Sequence, residues 1–151
     1  MSIEPIIRSV DVQCPPERTF ELFTARFDAW WPRPFSIGKA PLAKAILEPK
    51  AGGRWFETDA EGTETHWGKV LAYEPPRRLL LAWQIRQGCL FDPDFLTEVE
   101  VTFKAIDGGT RVTLEHRNLE RFGTEDADQI DKMRSGWTKL MDLFAGFTAK
   151  A

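Results

Sequence analysis

From Gly52 to Glu115 the chain reads as a run of antiparallel strands, and it then changes period once, into a single long helix. In Val99, Val101 and Phe103 against Glu100, Thr102 and Lys104, apolar and polar residues alternate strictly. Val112, Leu114 and His116 alternate in the same way with Arg111, Thr113, Glu115 and Arg117. A period of two with one apolar side means a strand with one buried and one solvated face. Asp107-Gly108-Gly109 joins the two as a hairpin turn, because glycine supplies the positive φ such turns require. Further on, Ile130, Met133, Trp137, Leu140, Phe144 and Phe147 recur three or four apart. That spacing predicts an amphipathic helix from about Glu125 to Ala149, with Glu125, Asp126 and Asp128 placed to suit the helix dipole. The stripe on this helix and the apolar faces of the strands must meet, since neither has another partner.

The rest of the chain fits around that pair. Ile6, Val10 and Val12 predict a first strand over residues 5–13. Pro15-Pro16-Glu17-Arg18 opens a helical region, where proline is tolerated because a first-turn N–H has no partner to lose. Phe20, Phe23 and Phe27 continue it, and Pro32 and Pro34 end it just after Trp30-Trp31. Short strands follow at Ala45–Pro49, Arg54–Thr58, Glu64–Tyr73 and Leu79–Ile85, and residues 87–95 read as a long, partly apolar loop. The order is strand, helix pair, six strands, long helix. This predicts one α+β domain over residues 1–151: a curved antiparallel sheet of six to seven strands wrapped around a long C-terminal helix.

Composition excludes several classes. The net charge of -3 leaves no electrostatic footprint for nucleic acid. The longest apolar run, Leu79-Leu80-Leu81-Ala82-Trp83, is far too short for membrane insertion, and Met1-Ser2-Ile3-Glu4-Pro5 lacks the pattern of a signal peptide. Cys14 and Cys89 therefore read as free thiols of a cytoplasmic protein. The two histidines, His66 and His116, form no ligand pattern with those cysteines, so no metal and no other cofactor is expected. No nucleophile elbow or phosphate loop is present.

Six Trp and eleven Phe stand against one Tyr. Indoles carry much contact area and one polar handle, and a chain this size needs few of them for its core alone. The candidate ligand-binding residues are Trp31, Trp55, Trp67, Trp83, Phe103, His116 and Trp137, spread over different elements. Gathered around a cavity they would suit a hydrophobic or aromatic small molecule; packed together they are ordinary core. Trp137 lies on the helical stripe and must point inward, and Gly136 beside it would let another segment come close. His116 continues the inward phase of Val112 and Leu114, so it is either a general acid or base of the cavity or a strand-end histidine bonded to backbone. Arg54, Arg86 and Arg117 either anchor an acidic ligand group at the mouth or pair with nearby carboxylates. Phe91 and Phe95 in the 87–95 loop either cover the cavity as a lid or bury in a second copy, which leaves a homodimer open.

Several local motifs, in order, resemble one known family. They are Pro15-Pro16-Glu17-Arg18-Thr19-Phe20, Trp30-Trp31-Pro32, Gly52-Gly53-Arg54-Trp55, Trp67-Gly68-Lys69-Val70 and Glu74-Pro75-Pro76-Arg77-Arg78-Leu79. Trp83, Thr97-Glu98-Val99-Glu100-Val101, Gly109-Thr110-Arg111-Val112, Leu114-Glu115-His116 and Gly136-Trp137 continue the series. The chain is similar over nearly its whole length to START-like, helix-grip proteins. Its branch resembles the activator of the heat-shock 90 chaperone ATPase, nearest the subgroup of the calicheamicin self-sacrifice resistance protein. The resemblance implies a helix-grip fold with two short helices after the first strand and a cavity between sheet and helix. It implies activity less narrowly: a hydrophobic ligand carrier, a cyclase- or hydrolase-type enzyme using His116, or a chaperone-interaction module.

Overall fold

A computed structural model describes residues 3–86, 89–123 and 127–151, with residue 127 described by its backbone only. The elements in chain order are β1 (Ile6–Val12), α1 (Pro16–Thr24), α2 (Phe27–Trp30), β2 (Leu42–Leu47), β3 (Arg54–Asp59), β4 (Glu64–Glu74) and β5 (Arg78–Trp83). Then come β6 (Ile85–Arg86), β7 (Leu90–Phe91), β8 (Thr97–Ile106), β9 (Gly109–Arg117), a 3-10 turn (Leu119–Phe122) and α3 (Ala127–Lys150). Seven strands form one antiparallel sheet in the order β1-β9-β8-β5-β4-β3-β2, curved around α3 in a helix-grip α+β arrangement. The expected fold class is what the structure shows. Glu125 and Asp126, named above for the helix dipole, lie outside the described residues, as do Gln87 and Gly88 of the loop.

Boundaries moved where the ladder is irregular. The second strand begins at Leu42 rather than Ala45, because a register shift between Leu42 and Lys44 breaks its alternation. The 89–95 segment is not all loop: Leu90 and Phe91 pair with Arg86 and Ile85 in a separate two-stranded ribbon. Between β3 and β4 a bulge sets Trp67 and Gly68 against the single residue Trp55. Bulges of this kind re-aim side chains, and here Trp67 comes to lie with its ring 5.7 Å from that of Trp55. Gly68 is the next requirement. A Cβ on it would meet the carbonyl oxygen of Ala82 at 1.7 Å, so only glycine fits. Its two cross-strand neighbours are Trp55 and Trp83, whose rings approach to 5.8 Å over it.

The core runs along the inner face of the sheet. Ile130, Met133, Trp137, Leu140 and Phe144 of the α3 stripe are buried, while Phe147 is half-buried at its end. Phe20, Phe23 and Phe27 of the helix pair pack edge-on against one another's neighbours, with Phe23 bridging Phe103 of β8 and Phe144 of α3. Each such ring contributes roughly 1.5–3 kcal/mol of burial. Asp28 ties α2 to the sheet, accepting the Ala45 N–H at 2.8 Å and pairing with Arg33.

The outer face is charged. Arg117 of β9 bridges Glu98 and Glu100 of β8 at 2.9 and 2.8 Å, and Arg78 of β5 reaches Glu100 from the other side. These guanidinium groups hold the Glu100 carboxyl below its ordinary value, with Arg78 the larger cause. Among the described residues the exposed large hydrophobics are Ile7, Leu90 and Leu143, on three separate elements.

Candidate functional site

Between the sheet, the segment after α2 and the middle of α3 lies a cavity of about 490 Å³. Its walls come from distant parts of the chain: Trp31, Phe35 and Ile37, then Trp67 of β4 and Trp83 of β5, then Met133, Trp137 and Leu140 of α3. Cys89 stands at its rim, exposed, and Lys132 and Gln129 are its polar groups from α3. A more open depression of about 400 Å³ shares Phe35, Lys132 and Gly136 with it and adds Lys139, whose ammonium lies 5.6 Å from the Phe35 ring centre.

Four of the seven candidate residues line this cavity: Trp31, Trp67, Trp83 and Trp137. Their rings form a chain of contacts, with Trp31 to Trp67 at 5.1 Å and Trp83 to Trp137 at 5.7 Å. Trp55 stands behind them, almost fully buried, and joins Trp67 to Trp83. The indole N–H groups of the four lining residues are already engaged. Trp31 donates to Phe35 O, Trp67 to Glu57, Trp83 to Ile85 O and Trp137 to His116. What these side chains offer an occupant is therefore apolar ring surface. The Trp55 N–H is buried and meets no acceptor among the described residues.

Phe103 and His116 do not reach the cavity wall. Phe103 packs into the helix pair, 5.0 Å from Phe20 and 5.7 Å from Phe23. His116 is 0% exposed, behind Trp83 and Trp137. The expected inward phase holds, but the inside of the sheet at this point is packed core. An indole N–H can only donate. Trp137 Nε1 lies 3.1 Å from His116 Nδ1, so Nδ1 must be the accepting nitrogen. The proton of the neutral ring then sits on Nε2 and is donated to Thr97 Oγ1 at 2.8 Å, while Thr97 can donate to Trp83 O at 3.3 Å. Burial pushes the imidazole down to about 3. Both ring nitrogens are committed, and a second proton would set Nδ1–H against the Trp137 N–H. Of the two expectations for His116, the geometry is that of a neutral side chain bonded into the core, with both ring nitrogens taken up by Thr97 and Trp137.

The three arginines are all paired with carboxylates. Arg54 holds Glu48 and Glu64, Arg86 holds Asp92, and Arg117 belongs to the outer-face lattice. The cation at the cavity is Lys132 instead, which is in no ion pair among the described residues. Phe95 packs on Phe122 at 5.0 Å and Phe91 on His66 at 5.5 Å. The rings on which a homodimer was considered thus fold back on their own chain. The two cysteines are free, Cys14 bonded to Thr19 and Cys89 at the rim. No group of three His, Cys, Asp or Glu side chains that could hold a metal ion occurs among the described residues. No described helix is long and apolar enough to cross a membrane. The close approach expected at Gly136 is made by Phe35, at 3.7 Å from where a Cβ would stand.

One residue of the site escaped the sequence reading. Glu57 of β3 is 0% exposed and sits directly behind the cavity wall, accepting hydrogen bonds from Ser36, Ile37 and Trp67. The signal was its phase: it lies two residues from Trp55, on the same face of the strand.

Residues 13–148 match the family model described as Activator of Hsp90 ATPase homolog 1-like protein. No match is found among curated proteins. Among solved structures, an anthrahydroquino-gamma-pyrone synthase, Txn09, is 39% identical over 81% of each chain, with a TM-score of 0.59. The self-sacrificing resistance protein CalC from Micromonospora echinospora is 30% identical over 97% of this chain and 95% of its own, with a TM-score of 0.72. A protein from Mesorhizobium loti, 18% identical over 98% of each chain with a TM-score of 0.72, shares the fold alone. The chain belongs to the Activator of Hsp90 ATPase homolog 1-like family.

Proposed function

We propose that this protein binds a hydrophobic or aromatic small molecule in the cavity between the sheet and α3. The observation that carries the reading is the wall itself. Four indoles, with every N–H already spent within the fold, surround a space of about 490 Å³ that also has a cation, Lys132, at its edge. Ligand sites are of this size and make-up, mostly apolar and aromatic with few polar groups. Similarity to a synthase of a fused aromatic product is consistent with a flat ligand. Titration with 2-methoxynaphthalene and with anthraquinone, followed by tryptophan emission and thermal shift, tests it. At a hundredfold excess over Kd a single-site ligand adds about 2.7 kcal/mol of stability. Unchanged emission together with an unchanged Tm for both compounds would refute the reading.

A cyclase-type activity in the same cavity is the second reading, favoured by the 39% identity to the synthase. Catalysis would then fall to groups at the cavity wall, since His116 is sealed behind it. The test is the fate of the bound compound: a carrier returns its ligand unchanged, an enzyme does not. The chaperone-interaction reading draws no support from the outer sheet face, where charges are paired across three strands.

A further inference from the structure

Glu57 is a carboxylate in the core with no Lys or Arg paired to it among the described residues. Burying an unpaired charge costs several kcal/mol even when it is hydrogen-bonded. Its oxygens are shared out among groups of the cavity wall. Oε1 accepts the Ile37 N–H at 2.7 Å and the Trp67 indole N–H at 2.8 Å; Oε2 accepts the Ser36 hydroxyl at 2.5 Å. Ser36, Ile37 and Trp67 all line the cavity. Gly38 keeps the space open, since a Cβ there would stand 2.8 Å from Glu57 Oε2. A glutamine in its place could accept the Ile37 and Trp67 N–H groups through its one oxygen, but its amide nitrogen would donate to Ser36 instead of accepting from it. It is the second carboxylate oxygen that fixes the direction of the Ser36 hydroxyl.

The Ser36 hydroxyl links that charge to the cavity. Its hydrogen is committed to Glu57, so its oxygen is left as an acceptor, with the Gly38 N–H on one lone pair at 3.3 Å. A serine fixed in this sense meets a ligand as a hydrogen-bond acceptor backed by a base. We propose that Ser36 and Glu57 form a proton-accepting subsite that takes the acidic hydroxyl of a phenolic or enolic ligand. This rests on the cavity being a ligand site. In the transfer the ligand O–H bond breaks with its electron pair left on the ligand oxygen. The proton passes to Ser36 Oγ as the serine's own proton passes to Glu57 Oε2. The products are a neutral carboxyl and a phenolate or enolate, and no electron changes hands.

2-Naphthol tests the subsite, because it becomes a strong acid in its excited state and emits at a different wavelength once ionised. With its hydroxyl set against Ser36 rather than toward the open rim, it passes its proton to the protein only if an acceptor is at hand. With the whole protein, bound 2-naphthol is expected to show naphtholate emission. Glu57→Gln, which keeps the side chain's shape, is expected to lose that emission, with 2-methoxynaphthalene, which has no proton to give, reporting how far the cavity is still occupied. Ser36→Ala leaves the other two bonds to Glu57 in place, so it carries the test if the first variant does not fold, and it is expected to lose the emission too. Naphtholate emission that persists in either folded variant overturns the proposal. So does wild-type protein that binds 2-methoxynaphthalene but shows only neutral 2-naphthol emission, which would leave the cavity reading standing. Failure of both naphthalenes to bind overturns the subsite, and the cavity reading falls with it only if anthraquinone also fails to bind.

Discussion

Acid should loosen this fold through His116, beginning just below neutral pH. The imidazole is 0% exposed, neutral, and bonded on both nitrogens, with its folded value lowered from 6.5 to about 3 by burial. In the unfolded chain the same ring takes a proton below about 6.5. The unfolded state therefore binds more protons across the window from 6.5 down to 3. Stability is full above that window and falls as pH drops through it. Between pH 7 and pH 5 the loss from this one side chain is about 2 kcal/mol, from roughly 1.4 kcal/mol per pH unit of differential binding. Glutamine offers one donor and one acceptor, as the neutral ring does, but does not titrate. The assay is denaturant unfolding at pH 7, 6 and 5, read by tryptophan emission, on the wild type and His116→Gln. The wild type is expected to lose about 2 kcal/mol more than the variant over that range. Parallel losses in the two proteins would refute the claim that His116 is held neutral by the core.

Gly136→Ala should fit, since the nearest atom stands 3.7 Å from its Cβ, and should raise stability by about 0.5–1 kcal/mol in an unfolding titration through the helix backbone alone. Gly136→Trp, at the same lining position, should fill the cavity and abolish the effect of 2-methoxynaphthalene on tryptophan emission. Phe103→Ala should cost roughly 3–5 kcal/mol in the same unfolding assay. Its ring packs on Phe20 and Phe23 away from the wall, so ligand affinity of the folded fraction should be unchanged. Arg117→Ala should cost at most about 1 kcal/mol, and less at high salt, because its carboxylate partners are partly exposed and one of them keeps Arg78.

How much of this could be read from the residues depended on how regular each strand is. β8 and β9 alternate without a break and pair in continuous register from Glu98–Arg117 to Ile106–Gly109, so their faces follow directly from period. The α3 stripe is equally direct, because most of one helical face is buried. β3 and β4 hide their phase. Phe56 on the far face is buried under the Arg54 guanidinium, 4.1 Å from its ring centre, while the inner face carries Glu57. An acid facing inward reads like an acid facing water, and an aromatic covered by an arginine reads like core. The bulge at Trp67 then removes the remaining clue. His116 shows the complementary limit. Its direction was correct, but whether an inward position meets a void or a neighbour depends on Trp83 and Trp137, which lie far from it in the chain.

The β6–β7 ribbon is hydrogen-bonded apart from the seven-stranded sheet, yet it abuts the cavity through Ile85 and Cys89. Rim and bowl are thus separately variable parts. A protein engineer can therefore alter the polarity of the ribbon's own side chains, and with it what the rim admits, without touching a strand of the main ladder.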